Sequence, residues 1–389
     1  MRDSVLILTL LALSLLLIAL PASAQEPVFT ALPVLEIPAV PTLGGATVGR
    51  STNDPRAALQ NPALLGLSAS SARQATAATP SAQWFGEQNV GVSAASMGLD
   101  MGRLDVGVAI SQGTQSTDAR TLSDGTAYDP TDRYRALSVG AATQGSVRMA
   151  LGGTARYVTT TDAPRWTGER FEVASLRGVT MDLGLAASAD IADLANLPTV
   201  SGLQPALDVT AGYTLSHMSG TVRYHGYEKQ SLPRTGTLGW SAVGGLDIAL
   251  SSTPLRVAEL EVAAQADHSL VNQDAEGTSY DWLVGSLSPA DALLGTGGER
   301  TTGRRGARLE LAETLTLSRG RFDGWGYTDA QTRSVEVSTA GLFKLLSSGT
   351  ARGPLDDLRQ LDLRLGRTTI WSGTPEAATR TTLSLVIGR

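Results

Sequence analysis

The most regular feature of the chain is an alternation of apolar and polar residues that returns in segment after segment. In the segment 179–186, which reads VTMDLGLA, every second side chain is apolar. The same period of two recurs in the segments 103–110, 207–215 and 238–250. This period fits a β-strand with one apolar and one polar face, and it does not fit a helix. Strands of this kind, repeated along a chain, are typical of a transmembrane β-barrel.

The first 24 residues have the composition of an export signal. Arg2 is followed by an apolar run at 5–20 and then by a triplet of small residues at 22–24. This order predicts a secretory signal peptide, residues 1–24, that is cleaved before Gln25. The alternative is a retained membrane anchor, because the apolar run approaches the length that spans a bilayer.

The rest of the sequence limits the classes of protein to which the chain can belong. It has no later apolar run of about 18 residues, the length that a transmembrane helix needs, so an embedded mature chain must be a closed barrel. It also has no cysteine, which excludes disulfides and thiolate metal sites. The net charge is −6 and no basic stripe is present, so we expect no nucleic-acid partner. The alternative fold is a soluble all-β sandwich.

The alternation and the turn residues between segments predict an all-β fold, a transmembrane antiparallel up-and-down β-barrel of fourteen strands. Short links alternate with long ones, as expected for a bacterial barrel with short periplasmic turns and long external loops. The short links are 99–101, 145 and 252–254, and the long ones are 113–132, 160–177 and 218–235. The predicted strands are 67–77, 88–98, 102–112, 133–144, 146–159, 178–191, 205–217, 236–251, 255–270, 279–288, 304–319, 332–346, 358–371 and 379–389.

The segment 279–288 is counted as a strand because of topology more than because of its own pattern. If 271–303 were one loop, the strand number would be odd and the last strand would end outside the cell. The alternative of twelve strands leaves out 67–77 and 279–288. The last strand, 379–389, has the apolar spacing expected of a signal for the barrel-assembly machinery, a partner that we expect, but it ends in Arg389 instead of an aromatic residue.

Two predicted strands contain irregularities. The apolar parity changes inside 255–270, which predicts a β-bulge near Ala258-Glu259. In 304–319, Glu313 interrupts the apolar row. A carboxylate facing the middle of the bilayer is costly, so we expect either a bulge that turns Glu313 inward or a position at the membrane interface.

The stretch ahead of the first strand, residues 43–65, reads LGGATVGRSTNDPRAALQNPALL. It resembles the N-terminal hatch of FadL-type long-chain fatty-acid transporters and of the related PorV/PorQ-like outer-membrane proteins, which share a Gly/Ala-rich stretch, an Asp and then Asn-Pro-Ala. The matching positions are Gly44, Gly45, Asp54, Asn61, Pro62 and Ala63. Pro62 fixes its own φ, and the Asn61 side chain can bond to nearby backbone, so the triplet predicts a rigid turn.

This resemblance implies an N-terminal hatch segment, residues 25–66, that plugs a barrel of residues 67–389 in the bacterial outer membrane, in contact with its lipid. It implies passive transport of hydrophobic or amphiphilic compounds, with a hydrophobic small molecule as the ligand. The alternative is a non-transporting partner protein of a secretion system, with secretion-system proteins bound to the loops 113–132 and 160–177. No ligand residues can be carried over.

Catalytic chemistry has one candidate, the sequence Asp267-His268-Ser269, which suggests a hydrolase. Adjacent strand residues point to opposite faces, so Asp267 is poorly placed to orient His268. By parity His217 lies on the lipid side, and His225 falls in an external loop. Neither belongs to a metal-ligand cluster. We therefore predict that the chain is not an enzyme and has no cofactor or metal.

Charged residues recur on the polar faces of the predicted strands. In a barrel they would form ion pairs that fill the lumen or would line a pore. They are Asp105, Arg148, Arg156, Asp182, Asp208, Asp247, Arg308, Glu310, Glu336, Asp362 and Arg364.

Overall fold

The computed structural model describes residues 43, 46–49, 54–69, 73–84, 88–117, 120–121, 125, 127–128, 131–166, 171–200, 202–218, 221–224, 229–231, 234–250, 253–274, 277–324, 327–347, 361–371 and 378–387. The predicted signal peptide, residues 1–24, and residues 25–42 of the predicted hatch segment lie outside the described residues.

The described residues form twenty strands, four short α-helices and a 3-10 helix. The strands are β1 (Arg73–Trp84), β2 (Gln88–Asp100), β3 (Leu104–Thr117), β4 (Arg120–Thr121), β5 (Ala127–Tyr128), β6 (Thr131–Thr143), β7 (Val147–Trp166), β8 (Phe171–Asp190), β9 (Leu203–Ser216), β10 (Thr221–Tyr224), β11 (Lys229–Ser231), β12 (Thr235–Leu250), β13 (Thr253–Ser269), β14 (Val271–Asp274), β15 (Gly277–Tyr280), β16 (Thr301–Leu311), β17 (Leu315–Gly324), β18 (Tyr327–Ser338), β19 (Leu361–Trp371) and β20 (Ala378–Ile387). The helices are α1 (Leu64–Leu67), α2 (Ile191–Leu194), α3 (Pro289–Leu294) and α4 (Ala340–Ser347), and the 3-10 helix is Pro55–Leu59.

Fourteen of the strands close into one antiparallel barrel. Each long strand pairs with the next long strand along the chain, and the first strand, β1, pairs with the last, β20. The pairing of β8 with β9 completes the circle. The six short strands extend β8 or form small hairpins in the connections. The predicted fourteen-stranded barrel is therefore confirmed, and the alternative of twelve strands is wrong. None of the helices in the described part of the chain is long and apolar enough to cross a membrane.

The two faces of the wall differ in the way that the alternation predicts. In β6 every second residue from Asp132 to Ala142 is buried, and the residues between them are mostly exposed. Large apolar side chains lie exposed on the outward face around the barrel. They include Met97, Ile110, Leu137, Met149, Val179, Leu185, Leu260, Val335, Leu365 and Leu383. Such a continuous apolar band suits lipid and would be a liability in water. The molecule is a transmembrane β-barrel of the outer-membrane type.

The strand count is right, but one strand is assigned wrongly and another is missing. The segment 304–319 is not one strand, because the chain reverses at Ala312 and Glu313, which have φ values of 50°. This turn separates β16 from β17. Glu313 lies in it, at the periplasmic end, where its carboxylate accepts from Lys344 Nζ at 2.7 Å. This turn replaces the expected bulge, and its place at the periplasmic end of the barrel agrees with the other expectation, a position at the membrane interface.

The segment 279–288 is not a barrel strand. Its first residues complete the small β14–β15 hairpin, and the chain then turns and enters α3. The extra turn at residues 312–314 restores the even number of strands that the topology requires, at a different place in the sequence from the one predicted. The bulge predicted near Ala258-Glu259 is confirmed, since Leu246 pairs with Ala258 while Asp247 pairs with Arg256.

The connection between β13 and β16 lies against the outer face of the wall. Leu287 and Ala292 pack on Ala266, which belongs to the lipid-facing row of β13. Trp240 Nε1, on the same face of β12, donates to the Leu293 carbonyl at 3.0 Å. The connection therefore covers the extracellular half of this wall, at the level of the outer leaflet.

We expect Trp282 in this connection to contact lipid, because its side chain is 79% exposed on the membrane-facing surface. Brominated lipids should quench its fluorescence, and Trp282→Phe should remove a quenchable component from the emission of the protein. Preferential quenching of that component by aqueous acrylamide would place the connection in water instead.

Candidate functional site: the N-terminal segment inside the barrel

The described residues ahead of β1, 46–49 and 54–69, form a luminal segment that lies inside the barrel. Its contacts are with inward-facing residues of the wall, and its apolar side chains are at most 5% exposed. These side chains are Ala46, Val48, Ala57, Ala58, Leu59, Ala63, Leu64, Leu65, Leu67 and Ala69.

A row of glycines crosses five neighbouring strands on the inward face of the wall. Each glycine lies directly opposite the next in the register of β2, β3, β6, β7 and β8. The members of this glycine row are Gly98, Gly107, Gly140, Gly152 and Gly184. Because glycine has no side chain, the row leaves a shallow track on which another main chain can lie.

The luminal segment lies on the glycine row. A β-carbon added at Gly140 or at Gly152 would collide with the main chain of Pro62. One added at Gly184 would collide with the Asn61 side chain. The other members make comparable approaches, Gly98 to Ala69 and Gly107 to Leu65. The close approach of a second main chain therefore requires glycine at these positions.

Asn61 joins the segment to the wall through its side-chain amide. Its Oδ1 accepts from the Ala63 N–H at 3.1 Å, which is the local bond that the sequence predicts. Its Nδ2 donates to the carbonyls of Val48 at 2.7 Å and of Leu185 in β8 at 3.1 Å. The turn that begins at Asn61 is thus tied both to the upstream part of the segment and to the barrel.

Asp54, another of the predicted hatch residues, holds the local shape of the segment. Asp54 caps the 3-10 helix Pro55–Leu59, since its Oδ1 accepts from the Arg56 N–H at 2.9 Å. Its carboxylate also pairs with Arg56 Nη2 at 2.6 Å. Gly44 and Gly45 lie outside the described residues. The assignment of these positions as a hatch motif stays a prediction.

The upstream part of the segment is held through its main chain. Gln265 Oε1 on β13 accepts from the N–H groups of Thr47 at 2.9 Å and Val48 at 3.0 Å. Ser241 Oγ on β12 donates to the Gly49 carbonyl at 2.9 Å. Bonds to the main chain fix the position of the segment without depending on most of its side chains.

The apolar contacts between segment and wall involve small wall residues. The segment packs Ala57, Ala63, Leu64 and Leu67 with Ala142, Ala150 and Ala186 of the wall, and Ala58 and Leu65 with Ala109. Ala46, together with Leu43 just ahead of the segment, packs with Ala263. The wall contributes alanine to these clusters and glycine to the row, so the apolar contacts of the segment are made with small wall residues.

A buried arginine joins the segment to the wall and to the β9–β10 connection. The side chains of Arg156 on β7 and Asp182 on β8 are each 1% exposed, and their Nη2 and Oδ2 atoms are 2.8 Å apart. The same guanidinium donates to the Leu59 carbonyl at 3.3 Å and lies 3.1 Å from His217 Nε2. It also lies over the Tyr134 ring, 5.4 Å from the centroid. We call these residues the Arg156 cluster.

His217 belongs to this cluster, and its predicted position on the lipid side is wrong. Its φ of 58° turns the chain as β9 ends, and its side chain is buried. The His217 N–H donates to Asp182 Oδ1 at 2.9 Å. Strand parity does not extend past a residue with a left-handed backbone, which explains the error.

A second arginine binds the C-terminal end of α1. Arg148 Nη1 donates to the Leu67 carbonyl at 2.7 Å, and its Nη2 donates to the Gly66 carbonyl at 3.2 Å. Asp105 pairs with the same guanidinium at 2.7 Å. A cation at the free carbonyls of a helix end is a favourable cap, so Arg148 fixes the point where the segment leaves the lumen.

Most of the predicted lumen charges form ion pairs, as the sequence indicates. Toward the periplasmic end, Arg256 pairs with Asp247 at 2.7 Å and with Glu259 at 2.6 Å. Arg308 pairs with the same Glu259 at 2.7 Å and with Glu310 at 2.6 Å. This end of the lumen is therefore charged, whereas the wall residues that pack against the apolar side chains of the segment are alanines.

The hydrolase candidate is not assembled as a catalytic group. His268 Nδ1 lies 2.9 Å from Thr301 Oγ1, and its Nε2 lies 3.1 Å from Ser286 Oγ. Asp267 faces the lumen, where it pairs with Arg304. Among the described residues, no three His, Asp or Glu side chains lie together in a way that could hold a metal ion.

Sequence reasoning missed the glycine row and the Arg156 cluster. A signal for the row is present, since glycines occupy inward positions on five successive barrel strands, but it appears only once the register of those strands is known. The cluster joins residues 59, 156, 182 and 217, which are far apart in the sequence.

No family model and no curated protein matches the sequence. Solved structures do match it. The CymD monoaromatic hydrocarbon channel has a TM-score of 0.43 and 11% identity, over 90% of this chain and 97% of that one. A Pseudomonas aeruginosa FadL homologue has a TM-score of 0.40 and 10% identity, over 90% and 98%. The chain resembles FadL-type outer-membrane channels. The Pseudomonas putida toluene transporter TodX has a TM-score of 0.36 and 10% identity, over 89% and 95%. Because these values are low, the function proposed below rests on this chain's own residues.

We expect Asn61→Ala to loosen the luminal segment without unfolding the barrel. It removes three hydrogen bonds and leaves buried carbonyls without their donor, a loss of about 1–3 kcal/mol. Hydrogen exchange in residues 46–63 should accelerate, while the heat-modifiable gel mobility of the barrel stays unchanged. Ser68→Ala is the control, because the bond that the Ser68 hydroxyl makes among the described residues stays within the segment, to the Leu64 carbonyl. Equal exchange in both variants would contradict the role of Asn61.

Proposed function

We propose that this barrel moves hydrophobic or amphiphilic compounds passively across the outer membrane, and that the luminal segment is the hatch that closes it. The observation that carries the proposal is the apolar contact inside the lumen between the segment and the alanines of the wall. Barrel interiors are normally polar, so a pore for hydrophilic solutes would not need this surface.

The way in which the segment is held supports a closure that can move. Four of the described hydrogen bonds between segment and wall join neutral groups, each with a net contribution of about 1 kcal/mol. The other three come from Arg148 and Arg156 and contribute about 1.5–3 kcal/mol each, so they are the main bonds that a displacement must break. The glycine row and the wall alanines offer no long side chains that would block a displacement along the wall. A modest shift of the segment would uncover an apolar surface that reaches from α1 to the wall.

An apolar cargo would itself favour the displaced state. A compound that binds to the uncovered surface shifts the equilibrium toward the displaced state. The size of the shift is limited by the difference in its affinity for the two states. No energy source is then needed, because the gradient of the compound sets the direction of transport.

The test is uptake by whole cells whose intact outer membrane excludes hydrophobic dyes. Expression of the full chain should raise the initial rate of N-phenylnaphthylamine uptake several-fold, while entry of the hydrophilic β-lactam nitrocefin stays at the level of cells without the protein. Faster nitrocefin entry without faster dye uptake would indicate a hydrophilic pore. No change in either rate would contradict transport and favour a partner protein of a secretion system.

A further inference from the structure

The outward face of four adjacent strands, β16 to β19, carries a patch of arginines. All five side chains are exposed. The members of this arginine patch are Arg305, Arg319, Arg321, Arg333 and Arg367. In β17 the outward residues nearest the periplasmic turn are Leu315 and Leu317, and the arginines follow on the extracellular side. The patch therefore borders the apolar band on its outer-leaflet side.

The register brings like charges directly opposite one another. Arg305 pairs with Arg321 across β16 and β17, and Arg319 pairs with Arg333 across β17 and β18. Arg367 on β19 lies opposite Val335, two residues from Arg333 along β18. Like charges in directly opposed positions destabilise a sheet. This repulsion between arginines recurs on adjacent strands, and an anion bound between the arginines would offset it.

The protein supplies that anion for one arginine. Arg321 pairs with Asp329 at 2.8 Å and with Asp323 at 3.5 Å. Within the described part of the chain, the other four make no ion pair. Arg333 stacks on the Trp371 ring at 5.2 Å, and Arg305 bonds only to a main-chain carbonyl.

The position of the patch identifies the kind of anion. Arg319, Arg333 and Arg367 lie near the middle of their strands. An outward arginine is costly at the bilayer midplane and nearly free at the interface, so we expect these long side chains to extend toward the outer-leaflet headgroups. The anion that lipid headgroups offer there is phosphate, which guanidinium groups bind with two parallel hydrogen bonds. Strands are about 4.8 Å apart, so four strands spread the patch over roughly 14 Å, which is wider than one phosphate can reach.

We propose that the arginine patch binds an outer-leaflet lipid that carries two phosphate groups. One phosphate would lie between Arg319 and Arg333, the opposed pair that has no carboxylate, and would replace their repulsion by charge-assisted hydrogen bonds. The second phosphate would be bound by Arg305 or Arg367 at the sides of the patch. This binding site faces the membrane and is separate from the lumen, so it does not depend on the proposed transport.

The test compares lipid binding by the full chain and by R305Q/R319Q/R333Q/R367Q. Native mass spectrometry in detergent would measure retention of a diphosphorylated glucosamine-disaccharide lipid, its monophosphorylated form and phosphatidylglycerol. We expect the diphosphorylated lipid to bind at least tenfold more weakly to the quadruple variant. The control is R133Q/R135Q, which removes two exposed outward arginines of β6 that have no arginine opposite them.

Heat-modifiable gel mobility shows whether the quadruple variant folds. R333Q alone provides a milder test, and it should lose part of the affinity for the diphosphorylated lipid. Equal binding by the original chain and the quadruple variant would overturn the proposal. So would an equal loss in the β6 control, or binding of phosphatidylglycerol as tight as that of the diphosphorylated lipid.

Discussion

Gly152→Ala is expected to displace the luminal segment and leave the barrel folded. The added methyl group would collide with the main chain of Pro62, and a main chain cannot move aside as the end of a flexible side chain can. Overpacking of this kind costs typically about 1–3 kcal/mol, which is comparable to several of the bonds that hold the segment. Protease cleavage within residues 46–69 should become fast in the assembled barrel, and the ion conductance of single barrels in planar bilayers should rise.

The neighbouring residue provides a matched control. Gly153 points away from the lumen, and a β-carbon there would meet its nearest atoms, Asp182 O and Leu183 Cδ2, at an ordinary 3.7 Å. Gly153→Ala should therefore leave both cleavage and conductance unchanged. Equal behaviour of the two variants would mean that the close approach on the glycine row does not position the segment.

Arg156→Leu is expected to destabilise the protein more than any single change at its surface. It leaves the Asp182 carboxylate buried without its cation, a situation that costs about 3–5 kcal/mol. The free energy of unfolding in urea, measured in detergent micelles, should fall by that amount. The same change removes the bond to the Leu59 carbonyl, so exchange in the 3-10 helix should accelerate as well.

Two further variants test whether the loss of stability comes from the unpaired, buried Asp182 carboxylate. Arg156→Leu combined with Asp182→Leu should recover most of the stability, because replacing both members of a buried pair by apolar residues is often neutral. Arg321→Gln, which breaks an exposed pair, should cost less than about 1 kcal/mol. If Arg156→Leu were as mild as Arg321→Gln, the Arg156 cluster would not stabilise the molecule.

The period of two was enough to predict the barrel, because each strand separates lipid from lumen and so repeats the same pattern. It could not place the turn at Glu313. Apolar residues at 309, 311, 315 and 317 keep the same parity on both sides of that turn, so two paired strands look like one long strand. Only the left-handed backbone at Ala312 and Glu313, which the pattern does not encode, separates them.

The candidate site was predicted in part. The Asn61-Pro62-Ala63 turn follows from local chemistry, since the Asn61 side chain bonds to the Ala63 N–H nearby in sequence. Its bonds to Val48 and Leu185 depend on how the segment lies in the barrel, and no local pattern shows that. The same holds for the glycine row, whose members become neighbours only through the register of five strands.

The most direct test of a movable hatch is to lock the luminal segment to the wall. The chain has no cysteine, so Ala46→Cys with Ala263→Cys, two positions in one buried cluster, would introduce the sole possible disulfide. Single-cysteine variants control for the substitutions. With the disulfide formed, uptake of N-phenylnaphthylamine should fall to the level of cells without the protein, and a reductant should restore it. Equal uptake by the oxidised and reduced protein would contradict transport through displacement of the segment.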